Sequence, residues 1–544
     1  MKNSIYRTIF ATICFSIILS LNLIAISPSI VPKPQSMQVT EGTFAIDNTV
    51  VVVVSPVTDL ALISIANQFI EQFSMVSGVK LKLSSEGQPS GKPYIRFSVD
   101  PKNAENQESY KLVATKSEVE VTAPSTNGCF YGLQTLLQLL PSIIYSKSPM
   151  TQQAWVVPCV KITDQPRFAY RGMHLDVGRH FFPVSFIKKY IDLMAMHKYN
   201  TFHWHLTEDQ GWRIEIKKYP NLTKVGAFRE ETSVRGSNTE FDAKPYGGFY
   251  TKAEIKEVVA YATSKFITII PEIEMPGHAS AALASYPELG CSGKRYEVAT
   301  KWGVFEDVYC AGKDHTFDFI ENVLDEVIAL FPGKYIHIGG DECPKTSWMK
   351  CTLCQDRMKR ENLKDEHQLQ SYFIGRIEKY LNSKGRSIIG WDEILEGGLA
   401  PNATVMSWRG MAGGISAAKA NHKVIMAPDE PMYFNYYQFD RTSEPVSAGK
   451  LVPIEAVYAY DPIPSELNVE ERKFILGAEA CLWSEFIPSP ENLEFKAFPR
   501  ACALSEVLWS AKEGRSFPEF KSRLIPHLSR LDYMNVNYAK FVLK

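Results

Sequence analysis

Past residue 26 the chain has no apolar run long enough to span a bilayer. It has no surplus of either charge: 59 Lys and Arg stand against 60 Asp and Glu, for a formal net charge of -1. Phosphate backbones are bound by clustered Lys and Arg, so nothing here points to a nucleic-acid partner, and none is expected. It has no low-complexity tract and no internal repeat of about 20–50 residues, which excludes solenoids and propellers. Metal-type cysteine patterning is also sparse. Cys351 and Cys354 form a single Cys-x-x-Cys, Cys343 lies upstream, and no second Cys/His pair stands at a matching spacing. A structural zinc ion takes four ligands, so a local disulfide or buried thiols are expected there and no metal. Cys291 and Cys310 bracket a polar loop and are the expected disulfide pair.

What is present is an ordinary globular composition: 544 residues, 45% hydrophobic and 22% charged. Lys2 and Arg7 precede an apolar run from Ile9 to Ile26, followed by Ser27-Pro28. A basic flank before such a run fits an export signal, cleaved or retained as an anchor. Residues 1–26 are read as signal, which places the rest outside the cytoplasm, secreted or periplasmic. Cys14, inside the run, follows Ile13, a bulky residue that makes a poor lipoprotein cleavage site. Export permits disulfides among the remaining cysteines.

Up to about residue 165, β-rich stretches (Val50–Val54, Lys80–Leu83, Tyr94–Val99, Tyr110–Ala114, Val119–Thr122) mix with helical spacing at Leu60–Ser74 and Tyr131–Leu140. This reads as a small α+β domain over 27–165. From about residue 166 the pattern changes to short apolar runs alternating with helices. The expected strands are Tyr170–Leu175, Thr201–Leu206, Thr268–Ile273, Tyr335–Ile338, Ser387–Gly390, Thr404–Ser407, Val424–Met426 and Leu476–Cys481. Alternating β and α units imply parallel strands, and eight of them match an α/β fold, the (β/α)8 TIM barrel, here over 166–520. Residues 521–544 are expected to form a helical extension.

Acids and aromatics fall after nearly every one of those strands. Asp176 and Arg179, Glu208 and Asp209, Glu274 and His278, Asp341 and Glu342, Trp391-Asp392-Glu393, Trp408, Tyr433, and Trp483 with Glu485 all sit at carboxyl-terminal ends. That end of a barrel carries its chemistry. Aromatic faces stack on pyranose rings, so the gathering points to a sugar-like substrate. The sharpest signal is His337-Ile338-Gly339-Gly340-Asp341-Glu342: cleaving a glycosidic bond needs a proton donor and a stabiliser for a cationic anomeric carbon, which adjacent carboxylates can supply.

The chain from about residue 30 to 515 resembles the β-N-acetylhexosaminidases of glycoside hydrolase family 20. The likeness is carried by Phe130-Tyr131-Gly132-Leu133-Gln134-Thr135-Leu136, by Arg171-Gly172-Met173-His174-Leu175-Asp176-Val177-Gly178-Arg179-His180, and by His203-Trp204-His205-Leu206-Thr207-Glu208-Asp209-Gln210-Gly211-Trp212-Arg213. Pro271-Glu272-Ile273-Glu274-Met275-Pro276-Gly277-His278 and Gly390-Trp391-Asp392-Glu393 continue it. The resemblance implies substrate-assisted retention, in which the sugar's own acetamido oxygen attacks the anomeric carbon and forms an oxazolinium ion. It implies no cofactor and an oligosaccharide or glycoconjugate substrate ending in β-linked GlcNAc or GalNAc, with a homodimer among the admissible assemblies.

By the same resemblance Glu342 is the general acid and then the general base, with a pKa expected to be raised by its neighbour Asp341. Asp341 orients the acetamido N–H. Arg179 grips the 3- and 4-hydroxyls, and Glu485 accepts from the 4- or 6-hydroxyl. Trp391, Trp408 and Trp483 box the acetamido methyl, while Tyr433 donates to the acetamido oxygen. Asp209 and His278 touch the substrate or support the catalytic pair. His203 and His205 are expected to pack and hydrogen-bond rather than bind metal. At Asn435 many family members carry Asp; losing that charge either leaves the site neutral to the change or admits an anionic 6-sulfate. A lacto-N-biosidase-like glycosidase and an inactive carbohydrate-binding barrel are the alternative readings.

Overall fold

The computed structural model describes residues 28–84, 91–101 and 106–540. The expected export signal, Cys14 included, lies outside them. No helix among the described residues is long and apolar enough to cross a membrane.

The amino-terminal part is a seven-stranded mixed sheet in the order Ser36–Ala45, Val156–Asp164, Tyr110–Ala114, Glu118–Ala123, Tyr94–Val99, Val51–Ser55, Lys82–Leu83. Helices Leu60–Ser77 and Thr126–Leu139 bury apolar faces against it, among them Leu62, Phe69 and Phe73 from the first. The first helix starts on an Asp59 cap whose carboxylate accepts from the Ala61 and Leu62 N–H groups. Sequence patterning misses two strands. Ser36–Ala45 is a largely exposed edge strand with a register shift between Val39 and Thr43, and Val156–Asp164 carries Pro158 opposite it. A proline and a polar edge both blur the alternation that marks a strand.

The second part is a closed barrel of eight parallel strands: Tyr170–Asp176, Thr201–His205, Thr268–Glu272, Tyr335–His337, Ser387–Trp391, Thr404–Ser407, Val424–Met426 and Ile475–Ala480. They coincide with the expected strands to within about a residue at each end. The eighth pairs with the first through Gly477 and Tyr170, closing the ring. Helix Arg500–Trp509 follows the eighth strand and returns to the barrel start, where the Arg167 N–H donates to the Trp509 carbonyl at 2.9 Å. The helix Phe517–Tyr533 begins a few residues before the 520/521 boundary drawn from sequence.

The two parts share a buried polar seam. The Arg171 guanidinium donates to Glu108 at 2.8 Å and to the Tyr131 hydroxyl at 3.0 Å. Lys198, fully buried, meets Asp164 at 2.9 Å, and Trp509 donates to the same carboxylate. Each charge is paired, which is the condition for burying it.

Candidate active site

The fourth strand ends at His337, and the chain then turns through Gly339 (φ 66°) and Gly340 (φ 94°) to deliver Asp341 and Glu342. A Cβ on Gly339 would stand 1.7 Å from a Glu274 carboxyl oxygen, so the close passage requires glycine. Glu342 itself has φ 40°, and His278, opposite, has φ 47°. Left-handed torsions in non-glycine residues are held against strain by their surroundings. Gln370 helps here by donating to the Gly340 carbonyl at 2.7 Å.

The two carboxylates share one neighbour. His278 Nε2 lies 3.6 Å from Asp341 Oδ2 and 3.5 Å from Glu342 Oε2. On its other side His278 Nδ1 is 2.8 Å from Glu208 Oε1 and 2.9 Å from Asp209 Oδ2. Burial disfavours the imidazolium, but the Glu208 charge and the hydrogen bonds to Asp209, Asp341 and Glu208 outweigh it and hold the His278 pKa well above the usual range. That cation acts on Glu342. The His278 hydrogen bond is the leading cause, and the carboxyl lies below its ordinary pKa despite partial burial. The expectation of a raised Glu342 is corrected: the facing imidazolium, not Asp341, dominates. Asp341 Oδ1 is buried and has no hydrogen-bond partner in the protein.

Of the two roles expected for Asp209, the geometry favours support of the catalytic pair. It is fully buried, and its oxygens are taken by the Ser280 N–H (2.9 Å), the Ser280 hydroxyl (2.6 Å) and His278. It holds His278 from behind and does not line the pocket. Arg179 is set by Asp176 (3.5 Å) and Glu208 (3.1 Å), and its guanidinium lies 5.1 Å from the Trp483 ring. Burial opposes its charge, yet Glu208, Asp176 and Glu485 raise its pKa further, so it is always a cation. Glu485 has one buried oxygen without a partner, and burial raises its pKa against the pull of Arg179.

The aromatic residues form one cluster. The Trp391 and Trp483 rings are 5.6 Å apart, Trp483 and Tyr433 6.2 Å, and Trp408 stacks on Tyr433 at 6.2 Å with 14° between planes. Trp391 donates to Glu272 at 2.9 Å, which fixes its ring. Asn435 is buried and its Oδ1 has no partner.

Three acids expected at the strand ends but given no role there belong to this site. Glu208 anchors both Arg179 and His278. Glu274 is buried with neither oxygen hydrogen-bonded, and burial together with Asp341 pushes its pKa well above the usual value. Glu393 accepts from the Trp408 indole at 2.8 Å and is pushed up to about 8 by burial and Asp341. Glu272 and Glu274 are two residues apart at a strand end and so share the inward face, a signal the sequence carried. Below them His203 spans Glu479 (2.8 Å) and Glu272 (3.0 Å), and His205 joins Glu272 to Glu208. Despite burial, these carboxylates raise His203 to about 9 and His205 to about 10. The histidines thus serve hydrogen bonding and charge pairing.

A (β/α)8 barrel whose carboxyl-terminal mouth brings together a carboxylate pair, a fixed guanidinium and an aromatic box has the site of a carbohydrate-processing barrel. Comparison with known proteins agrees. The pattern described as "Glycosyl hydrolase family 20, catalytic domain" matches residues 168–512, and "Glycosyl hydrolase family 20, domain 2" matches 27–165. The chain belongs to glycosyl hydrolase family 20. It is 48% identical over 515 residues to a β-hexosaminidase of Porphyromonas gingivalis, covering 94% of this chain and 64% of that protein. A β-N-acetylhexosaminidase of Cellulomonas fimi is 30% identical, with 92% and 93% covered. A solved family 20 β-N-acetylhexosaminidase from Streptomyces coelicolor superposes with TM-score 0.82 at 30% identity, covering 94% of this chain and 97% of that one. That from Bacteroides fragilis gives 0.79 at 32%, covering 94% and 96%.

Proposed function

We propose that this protein is an exo-acting, retaining β-N-acetylhexosaminidase that removes terminal GlcNAc or GalNAc with the substrate's acetamido group as nucleophile. The observation that carries the reading is the adjacent Asp341 and Glu342, both reaching His278, with Asp341 Oδ1 buried and unpartnered in the protein. A buried acceptor without a donor gains most from an incoming N–H. Asp341 accepts the acetamido N–H and offsets the charge that develops on the forming oxazolinium. Tyr433, Trp391, Trp408 and Trp483 hold the acetamido group for attack. Intramolecular attack by a fixed group contributes roughly 7–11 kcal/mol in favourable cases. Arg179 and Glu485 bind the outer hydroxyls.

Glu342 gives its proton to the leaving oxygen and then takes one from water. In the free site His278 favours its carboxylate, the form needed for the second step. A bound sugar expels water, and desolvation pushes the carboxyl back toward its acid form for the first step. The test is hydrolysis of aryl N-acetyl-β-glucosaminide together with a thiazoline mimic of the oxazolinium. Turnover with strong thiazoline inhibition is expected. Turnover without inhibition points to a protein nucleophile, and release of disaccharide alone points to a lacto-N-biosidase. No turnover of any aryl glycoside points to a carbohydrate-binding barrel.

A finer reading concerns a 6-sulfated sugar. Asn435 keeps an acceptor without the negative charge that an Asp would set against an anionic substituent. Asn435→Asp should lower the ratio of 6-sulfated to plain substrate turnover; an unchanged ratio ends this reading.

A further inference from the structure

The cysteines left unassigned by sequence patterning converge. Cys291, Cys310, Cys351 and Cys354 place their sulfurs all within 4.8 Å of one another. Cys310 lies 3.6 Å from Cys354 and 3.8 Å from Cys351, and Cys291 lies 3.8 Å from Cys354. The expected Cys291–Cys310 disulfide does not form: every cysteine among the described residues is a free thiol. A tetrahedron of sulfurs around zinc, at about 2.3 Å from metal to sulfur, has edges of about 3.8 Å. A disulfide needs sulfurs at about 2.05 Å. We propose that these four cysteines form a structural zinc site of four thiolates.

The ligands come from two segments that are already built against each other. Cys310 sits where its N–H donates to the Leu289 carbonyl at 2.8 Å, and Gly290 bridges Tyr309 in the same ladder, which brings Cys291 and Cys310 together. Cys351 caps the helix Thr352–Arg360 and Cys354 lies in its first turn, so the Cys-x-x-Cys presents both sulfurs at one helix start. A Cβ on Gly312 would stand 2.2 Å from the Leu353 carbonyl carbon, so the two backbones touch. The sequence signal was missed because the second pair, Cys291 and Cys310, is spread over a long loop. Cys310, Cys351 and Cys354 are buried and Cys291 is half-buried. Thiols are weak hydrogen-bond partners, so converging four of them yields little without a cation. Binding replaces up to four S–H protons with one Zn²⁺, leaving a centre of formal charge -2. Lys313, bound to the Gly290 carbonyl at 2.7 Å, supplies compensating charge nearby.

Four protein ligands leave no open position, so the ion supports structure and takes no part in bond cleavage. What it supports is the rim of the site. The segment it pins begins just after Glu342, where the Trp348 indole donates to the Tyr309 carbonyl at 2.9 Å. The facing loop donates from the Tyr309 N–H to the Pro276 carbonyl and from the Ala299 N–H to the Asp209 carbonyl, both at 3.0 Å. The ion would tie the loop after the catalytic pair to the loop that backs His278 and Asp209.

The test is elemental analysis of the full chain, produced with zinc in the medium and purified without chelator. It is paired with thiol alkylation in denaturant without reductant. The expected result is one zinc per chain and four alkylated cluster cysteines. Titration with an organomercurial should release that zinc in step with four thiols, a readout that needs no variant. Cobalt(II) in its place should give tetrahedral d–d bands and a thiolate charge-transfer band. Cys351→Ser with Cys354→Ser should lose the metal, while Cys129→Ser should keep it. Two disulfides in the cluster, a metal other than zinc, or free thiols without stoichiometric metal would each overturn the proposal.

Discussion

At the residue scale the account turns on what faces Asp341 and Glu342. Asp341→Asn keeps the shape and removes the charge that, in the proposed mechanism, offsets the oxazolinium. Losing one such group costs about 10²–10³ in kcat, and kcat for an aryl N-acetylglucosaminide measures it. KM should change far less, because the charge it stabilises exists only in the transition state. His278→Asn removes the cation that holds Glu342 low. The Glu342 pKa then rises, its acid form persists to higher pH, and the basic limb of the kcat/KM profile moves upward. A limb that stays put or moves down would show that another group sets it. Gly339→Ala would place a methyl against Glu274 at a positive φ. Strain of that kind costs on the order of 1–3 kcal/mol, and the denaturation midpoint should fall along with activity.

At the scale of elements, the barrel strands were legible because they are short, largely buried runs that alternate with helical stretches. His337 and Trp391 mark strand ends, and the chemistry follows immediately. The strands Ser36–Ala45 and Val156–Asp164 were not legible, since an exposed edge and Pro158 erase the alternation. Local motifs named the candidate residues but not which of them touch one another. Asp209 reads as a mouth residue, and only the fold shows it buried behind His278. Glu342 reads as raised by its neighbour, and only the fold brings the imidazolium across from another strand. The seam between the two sheets makes its own prediction. Burial opposes ionisation of Glu108, but the Arg171 charge and hydrogen bonds outweigh it and lower its pKa. The pair therefore stabilises the fold above the ordinary carboxylate pKa, and that stability is lost as pH falls through the depressed value. Arg171→Met removes the cation facing Glu108, which keeps only the Tyr131 hydroxyl and the Asn200 amide as donors, at a cost of about 1–3 kcal/mol. Urea denaturation at neutral pH measures the loss, which should shrink in acid.

For the whole molecule, the barrel supplies a rigid frame on which distant segments meet. Glu208, His278 and Glu342 come from three different strand ends, yet form one line of contacts from the barrel interior to the pocket. The proposed mechanism gives Glu342, at the end of that line, both proton transfers. The most direct test is Glu342→Gln in a folded preparation, assayed on a disaccharide whose leaving group needs a proton. General acid–base help contributes about 10²–10⁴, so kcat should fall by that factor, while an aryl substrate with a good leaving group should lose less in the first step. Hydrolysis of the disaccharide at the unsubstituted rate would contradict the account.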